Sequence, residues 1–176
     1  SNVYFGQSGT AHIASAGTST INLAGATLYA GYGVSGQTLH LDSGLTLQGY
    51  GGLYESSPAS VVNAGTINAS TTGQTFNLQP GVLTNTGSLQ ASSGNLTIGH
   101  IGWTNSGSMS VGAGGVLTLG FDTTTAGLGS ISRSGGSVKY NGVLDNSGQT
   151  LDIGGAGIFG AGGLTHLGGT IKQGTL

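Results

Sequence analysis

Hydrophobic and polar residues alternate along this chain in short runs, which glycine, serine, threonine and asparagine separate. Alternation with a period of two is typical of a β-strand that is buried on one face. The residues between the runs are those that form turns. A helix would need about ten or more residues with a 3.6-residue period and few glycines, and no window provides them. The pattern therefore predicts an all-β chain of short strands.

Two sequence blocks recur at a nearly constant interval. The first reads apolar, polar, Asn, small, Gly, Ser/Thr, apolar, and its glycine position recurs at Gly44, Gly65, Gly87, Gly107, Gly129, Gly148 and Gly169. The second reads apolar, polar, apolar, and its copies are 76–78, 96–98, 117–119 and 138–140. Such a period indicates a stacked-repeat architecture, in which neighbouring coils bury the apolar side chains together. We predict a right-handed, single-stranded parallel β-helix (β-solenoid) of about eight coils of about 21 residues.

We expect residues 1–176 to form one domain of this kind. Residues 61–176 carry the regular Asn-x-Gly repeats, and residues 1–60 predict less regular coils. Within them, residues 48–60 contain glycines, a proline and the only glutamate, and we predict an inserted tyrosine-rich loop there, or one with a short strand of its own. The chain begins without a signal peptide and ends in mid-repeat, so we expect a fragment of a longer protein.

The repeated asparagines are predicted to form a structural ladder at one corner of successive coils. An amide both donates and accepts hydrogen bonds, so each side chain can bond to the amide in the next coil. The predicted members are Asn63, Asn85, Asn105 and Asn146. Gly127 and His166 occupy the equivalent sequence position in two coils and would interrupt the ladder. The glycine that follows each asparagine is expected to adopt a positive φ.

Composition narrows the possible partners. Only 5% of the residues are charged and the net charge is −2, which provides no basic surface for nucleic acid. No apolar segment is long enough to cross a bilayer as a helix, so we expect no membrane insertion. An outward-facing polar row is predicted, with Asp152 and Lys172 close enough to pair; its members are Asn68, Gln90, Ser110, Ser132, Asp152 and Lys172.

A tyrosine-rich region provides the candidate ligand-binding site. Tyr29 and Tyr50 are separated by one sequence repeat, and so are Tyr32 and Tyr54, so each pair is expected to stack on neighbouring coils. Exposed tyrosines in a row would offer rings and hydroxyl groups to a glycan or a protein. The alternative is that these rings only cover the sheet.

Catalytic and metal-binding patterns are not evident in the sequence. Glycoside hydrolysis needs two carboxylates about 5–10 Å apart, and the five acidic residues are not spaced to provide such a pair. No metal-ligand spacing relates His12, His40, His100 and His166, and we interpret each as a surface or turn residue. Calcium-binding glycine–aspartate repeats and cysteines are absent. We therefore expect no enzymatic activity, no cofactor and no metal site.

The Asn-x-Gly-Ser/Thr-apolar repeats resemble those of secreted bacterial β-helix proteins, namely autotransporter passengers and filamentous-haemagglutinin-like exoproteins of two-partner secretion. The similarity covers residues 62–176 well and residues 1–60 loosely. The resemblance implies a secreted or cell-surface location on a Gram-negative bacterium and a role in adhesion, with a host or surface glycan or a matrix protein as partner.

Alternative functions remain open. Uncapped coil ends would favour head-to-tail self-association into a structural fibre. Ice binding would use flat rows of threonine, but Thr97 and Thr118 are flanked by Asn77 and Lys139 in the neighbouring copies. A polysaccharide-degrading enzyme is a further alternative, because parallel β-helices also host such activities.

Overall fold

The computed structural model describes residues 1–99, 102–155 and 157–176. These residues form short strands that stack in parallel as a β-solenoid, so the predicted fold class is confirmed. The only helix among them is α1 (Thr125–Leu128).

The strands follow one another around the coils, three strands to each complete coil. The first three coils contain β1 (Asn2–Phe5), β2 (Thr10–Ile13), β3 (Ser19–Asn22), β4 (Thr27–Ala30), β5 (Gln37–Leu41), β6 (Leu45–Gly49), β7 (Gly51–Glu55), β8 (Ala59–Asn63) and β9 (Thr66–Ala69). The next three coils contain β10 (Thr75–Gln79), β11 (Val82–Asn85), β12 (Ser88–Ala91), β13 (Asn95–Ile98), β14 (Gly102–Asn105), β15 (Ser108–Val111), β16 (Val116–Leu119), β17 (Thr123–Thr124) and β18 (Ile131–Arg133). The last strands are β19 (Ser137–Tyr140), β20 (Val143–Asp145), β21 (His166–Leu167) and β22 (Thr170–Lys172).

These strands form four parallel sheets along the axis of the solenoid. Sheet A has the order β1-β4-β7-β10-β13-β16-β19-β21, and sheet B has the order β2-β5-β8-β11-β14. Sheet C runs β3-β6-β9-β12-β15-β18, and sheet D runs β17-β20-β22. The chain thus makes about six complete coils, fewer than the eight predicted, because the described residues between 146 and 165 form turns without a named strand.

The core is made of columns of apolar side chains, one from each coil. In sheet A the inward positions Leu53, Leu78 and Ile98 are paired in register and are fully buried. The predicted alignment of the second block is confirmed, since Phe76 pairs with Leu96 and Leu117 pairs with Val138. Each strand alone has one buried face, and stacking closes the apolar interior from one coil to the next.

Residues 48–60 are not an inserted loop. They contain the end of β6, the whole of β7 and the beginning of β8, and Leu53 pairs with Leu28 on one side and Leu78 on the other. The prediction was wrong because these coils are longer than the later ones. Tyr4 pairs with Tyr29 and Tyr29 pairs with Tyr54, so the step from coil to coil here exceeds the predicted repeat.

The predicted outward polar row is correct over its first four members and wrong at its end. Asn68, Gln90, Ser110 and Ser132 are neighbours in sheet C. Lys172 instead lies in sheet D, with its Nζ 3.6 Å from Oδ2 of Asp145. The carboxylate of Asp152 accepts hydrogen bonds from the backbone N–H groups of Gly154 and Gly155.

The repeated glycines at the ladder corner are needed for close approach between coils. Gly65, Gly87 and Gly107 do not have positive φ, contrary to the prediction, whereas Gly129 and Gly148 do. A Cβ on Gly87 would overlap the carbonyl oxygen of Gly65, and one on Gly107 would overlap that of Gly87. These carbonyls accept hydrogen bonds from the backbone N–H groups of Ser88 and Ser108 at 2.8 Å. The glycines therefore let the coil corners pack backbone against backbone.

Within the part of the chain that the structure describes, no helix is long and apolar enough to cross a membrane.

Candidate functional site

Three of the repeated asparagines form a continuous ladder of side-chain hydrogen bonds inside the solenoid. The Nδ2 of Asn63 donates to Oδ1 of Asn85, and the Nδ2 of Asn85 donates to Oδ1 of Asn105, both at 2.8 Å. Asn63 and Asn85 are fully buried. Paired register in β8, β11 and β14 places the three amides at one corner. This arrangement satisfies polar groups whose burial without partners would cost about 1–3 kcal/mol each.

The residues that continue the asparagine ladder beyond Asn105 differ from those that the sequence predicts. The Nδ2 of Asn105 donates to the carbonyl of Leu128 in α1, and Asn146 accepts a hydrogen bond at its Oδ1 from the hydroxyl of Thr125. Thr125 therefore takes the place assigned to Gly127. His166 lies in sheet A and not at the ladder corner. At the other end, Oδ1 of Asn63 has no hydrogen-bond partner among the described residues.

Four tyrosines form one patch on the outer face of sheet A, which we call the tyrosine patch: Tyr4, Tyr29, Tyr32 and Tyr54. The rings of Tyr4 and Tyr29 stack with centroids 5.1 Å apart, and those of Tyr29 and Tyr54 stack at 6.0 Å. These separations follow the strand spacing of about 4.8 Å. Tyr32 comes from the turn after β4, and its ring is tilted against Tyr4 at 4.5 Å.

The patch presents ring edges and hydroxyl groups to solvent. Stacking covers most ring faces within the row, and the outermost rings are the most accessible, with Tyr4 47% and Tyr32 54% exposed. Burial, together with the neighbouring Tyr29, raises the pKa of Tyr54. Like any tyrosine phenol at neutral pH, its hydroxyl can donate a hydrogen bond. The surface combines large apolar area with hydroxyl donors and acceptors.

Neither of the two predicted tyrosine pairs forms. Tyr29 stacks on Tyr54 and not on Tyr50, and Tyr32 contacts Tyr4 and not Tyr54. The ring of Tyr50 lies at the corner between β6 and β7, against Gly25. Sequence reasoning missed Tyr4 because it applied the shorter repeat of the later coils to the first ones. The recurrence of Tyr4, Tyr29 and Tyr54 at one equal, longer interval was the available signal.

A cleft of about 570 Å³ opens on another side of the solenoid, where sheet B ends at β14 and sheet D begins at β17. The indole of Trp103 stacks on the buried ring of Phe121 at 4.3 Å, and its Nε1 donates to the carbonyl of Gly127. The cleft is lined by Trp103, Thr104, Asn105, Asp122, Thr123, Thr124 and Gly127. At this cleft α1 contacts β14, and β17 joins β20 in sheet D, an arrangement that the sequence pattern did not reveal.

Two histidines and an aspartate come together on the outer face of sheet B. His12 and His40 are paired in β2 and β5, and their ring centroids are 5.0 Å apart. The Nδ1 atoms of His12 and His40 lie 3.0 and 2.9 Å from the same Oδ1 of Asp42. Hydrogen bonds from the two rings lower the pKa of Asp42 and so favour its ionised form. Sequence spacing did not relate these residues because they lie in different coils.

The remaining histidine that the structure describes, His166, belongs to sheet A. His166 is exposed in β21, and His100 lies outside the described residues.

The remaining acidic side chains accept hydrogen bonds from backbone N–H groups of the chain. Glu55 accepts from the N–H of Ala59, Asp122 from that of Val143, and Asp145 from that of Ser147. Together with Asp152, already described, these carboxylates hold turns and coil corners in place.

Comparison of the chain with protein-family models, with curated proteins and with solved structures found no match in any of the three.

Proposed function

We propose that this chain is a non-enzymatic segment of a secreted bacterial surface adhesin, a rigid β-helical stalk that carries a binding face for a surface glycan or a matrix protein. The observation that carries the proposal is the tyrosine patch. Tyrosines are enriched at binding interfaces because a ring provides contact area at low entropic cost and the hydroxyl provides a hydrogen bond. The repeat resemblance described above supports the secreted, cell-surface setting.

The position of the tyrosine patch over the packed core supports a binding role. Tyr4, Tyr29 and Tyr54 lie on paired strands of sheet A, above the buried column that contains Leu28 and Leu53. Side chains on strands over a packed core lose little further entropy when a ligand binds. Two half-exposed rings at one edge of the row provide the accessible area, and the stacked rings behind them hold that edge in place.

The environment of the acidic residues supports a non-enzymatic role. Four of the five carboxylates accept hydrogen bonds from backbone N–H groups at the starts of strands or in turns, and the fifth, Asp42, accepts from two histidines. A general acid for glycoside cleavage needs a raised pKa, whereas the pKa values of Asp42 and Asp145 are lowered.

The proposal is tested by binding of the monomeric chain to an array of glycans and matrix proteins. We expect a specific ligand whose binding falls at least about tenfold in a Tyr4→Ala, Tyr32→Ala double variant, because these rings supply the accessible area of the patch. Tyr50→Ala is the matched control, since it removes a tyrosine of the same region that lies outside the patch. Far-UV circular dichroism should be unchanged in all variants.

Two outcomes would contradict this assignment. An equal loss of ligand binding in the Tyr50→Ala control and in the double variant would show a general effect of removing tyrosines. A glycan whose binding resists the double substitution but is lost on Thr104→Ala would move the site to the cleft beside Trp103, whose mixture of an aromatic ring, hydroxyls and a carboxylate suits a sugar.

Self-assembly into a structural fibre is the second candidate. Among the described residues, β1 and β21 each pair with one strand only, and they expose Val3 and Leu167 at 47% and 46%. Unpaired strand edges with apolar side chains favour stacking of one copy on another. Concentration-dependent growth in light scattering, without any array ligand, would favour this function over adhesion.

A further inference from the structure

We propose that His12, His40 and Asp42 form a binding site for a divalent transition-metal ion, with Zn²⁺ as the best-suited ion, on the outer face of sheet B. The site is independent of the tyrosine patch. Its three ligand atoms, one from each residue, all lie within 4.8 Å of one another.

The fold brings the three ligands together by strand register. His12 and His40 occupy equivalent positions of β2 and β5, so their side chains point outward side by side. Asp42 follows His40 by two positions, which is the spacing that places side chains on the same side of an extended chain. Two ligands therefore come from one coil and the third from the preceding coil.

The distances suit a metal with nitrogen and oxygen ligands. Zinc bonds to imidazole nitrogen and carboxylate oxygen are about 2.0–2.2 Å long, so ligand atoms around a tetrahedral ion lie about 3.3–3.5 Å apart. The observed separations from Oδ1 of Asp42 to the two Nδ1 atoms are 3.0 and 2.9 Å. Side-chain rotations that open these contacts by a few tenths of an ångström would admit the ion. Each ring would then carry its proton on Nε2 instead of Nδ1.

The chemical nature of the ligands selects the class of ion. Two imidazoles and one carboxylate favour zinc and its transition-metal neighbours over Ca²⁺ and Mg²⁺, which prefer oxygen ligands. Three protein ligands leave a fourth position open. The side chains of His12, His40 and Asp42 are 52%, 30% and 31% exposed, so the ion can enter from solvent and a water molecule can complete its coordination.

Isothermal titration of the metal-free full chain with Zn²⁺ alone tests the site. We expect one ion per chain, with affinity reduced at least about tenfold in His12→Gln and in His40→Gln. His166→Gln is the matched control, because it removes an exposed histidine of another sheet and should leave the affinity unchanged. Titration with Ca²⁺ should give no comparable binding.

A second readout separates the site from nonspecific binding and from damage to the fold. Bound Co²⁺ should show the visible absorption of a low-symmetry site with nitrogen and oxygen ligands. Added Zn²⁺ should displace Co²⁺ and remove this absorption, and His12→Gln should abolish it. The side chain of His12 is half exposed, so this variant is expected to fold even if His40→Gln does not. The proposal is overturned if the His12 variant binds Zn²⁺ as tightly as the unmodified chain, or if His166→Gln weakens binding equally.

Discussion

At the scale of single residues, the corner of each coil depends on an asparagine and a glycine with separate roles. The asparagine bonds the amides of successive coils, and the glycine permits the backbones to touch. Asn85 is the best probe, since it is fully buried and bonds to both Asn63 and Asn105.

We expect Asn85→Ala to lower the free energy of unfolding by about 1–3 kcal/mol, because it leaves the buried donor of Asn63 and the partly buried acceptor of Asn105 with fewer partners. Gln90→Ala is the control on the outer row, where we expect less than about 0.5 kcal/mol. Urea denaturation measures both values. Similar losses at the two positions would show that the ladder contributes no more than a surface amide.

At the scale of elements, the pairing of β20 with β22 brings Lys172 next to Asp145. The carboxylate of Asp145 also accepts hydrogen bonds from Ser147 in the following turn. Hydrogen bonds from the hydroxyl and the N–H of Ser147 are the main cause of the lowered pKa of Asp145, and Lys172 contributes less. The folded state therefore favours the ionised carboxylate. This stabilisation is present above the ordinary aspartate pKa of about 3.9 and is lost as the pH falls through the lower folded-state pKa.

The carboxyl chemical shift of Asp145, followed by NMR as the pH is lowered, should separate the effect of Ser147 on its pKa from that of Lys172. We expect Ser147→Ala to raise the pKa of Asp145 more than Lys172→Met does. Asp145→Asn should make the loss of stability below about pH 4 less steep without abolishing it, because the pKa of Asp42 is also lowered. If Lys172→Met raised the pKa of Asp145 more than Ser147→Ala did, the lowered pKa would be assigned to the ion pair with Lys172 instead.

At the scale of the whole molecule, each coil contacts mainly its neighbours, so stability is distributed along the axis. Alternate residues of β8 to β13 are buried, whereas β1, β3, β21 and β22 contain no fully buried residue. Local opening is expected where few apolar contacts hold a strand.

Native-state hydrogen exchange of the full chain should therefore show the slowest amides in β8 to β13. Exchange should become progressively faster toward β1 and β22. Uniform protection along the solenoid would show that the chain opens as one cooperative unit and not by fraying from its ends.

Much of this architecture was determined by the sequence alone. The alternation of apolar and polar residues set the inward and outward faces. The recurring blocks set the parallel register from Asn63 to Asn105 in sheet B and from Phe76 to Tyr140 in sheet A. Both are properties that repeat locally, so they can be recognised without knowing how the chain folds. The ladder of Asn63, Asn85 and Asn105 followed from the same repeat.

Only the tertiary structure decided which residues meet where the coils change length. The stacking of Tyr4 on Tyr29, the meeting of His12 with His40, and the cleft beside Trp103 depend on turn lengths and on α1. A turn that is longer by a few residues changes every partner in the next coil, and the polar composition of a turn does not reveal its length. The repeat therefore predicted the core, whereas the candidate binding sites arise from departures from the repeat.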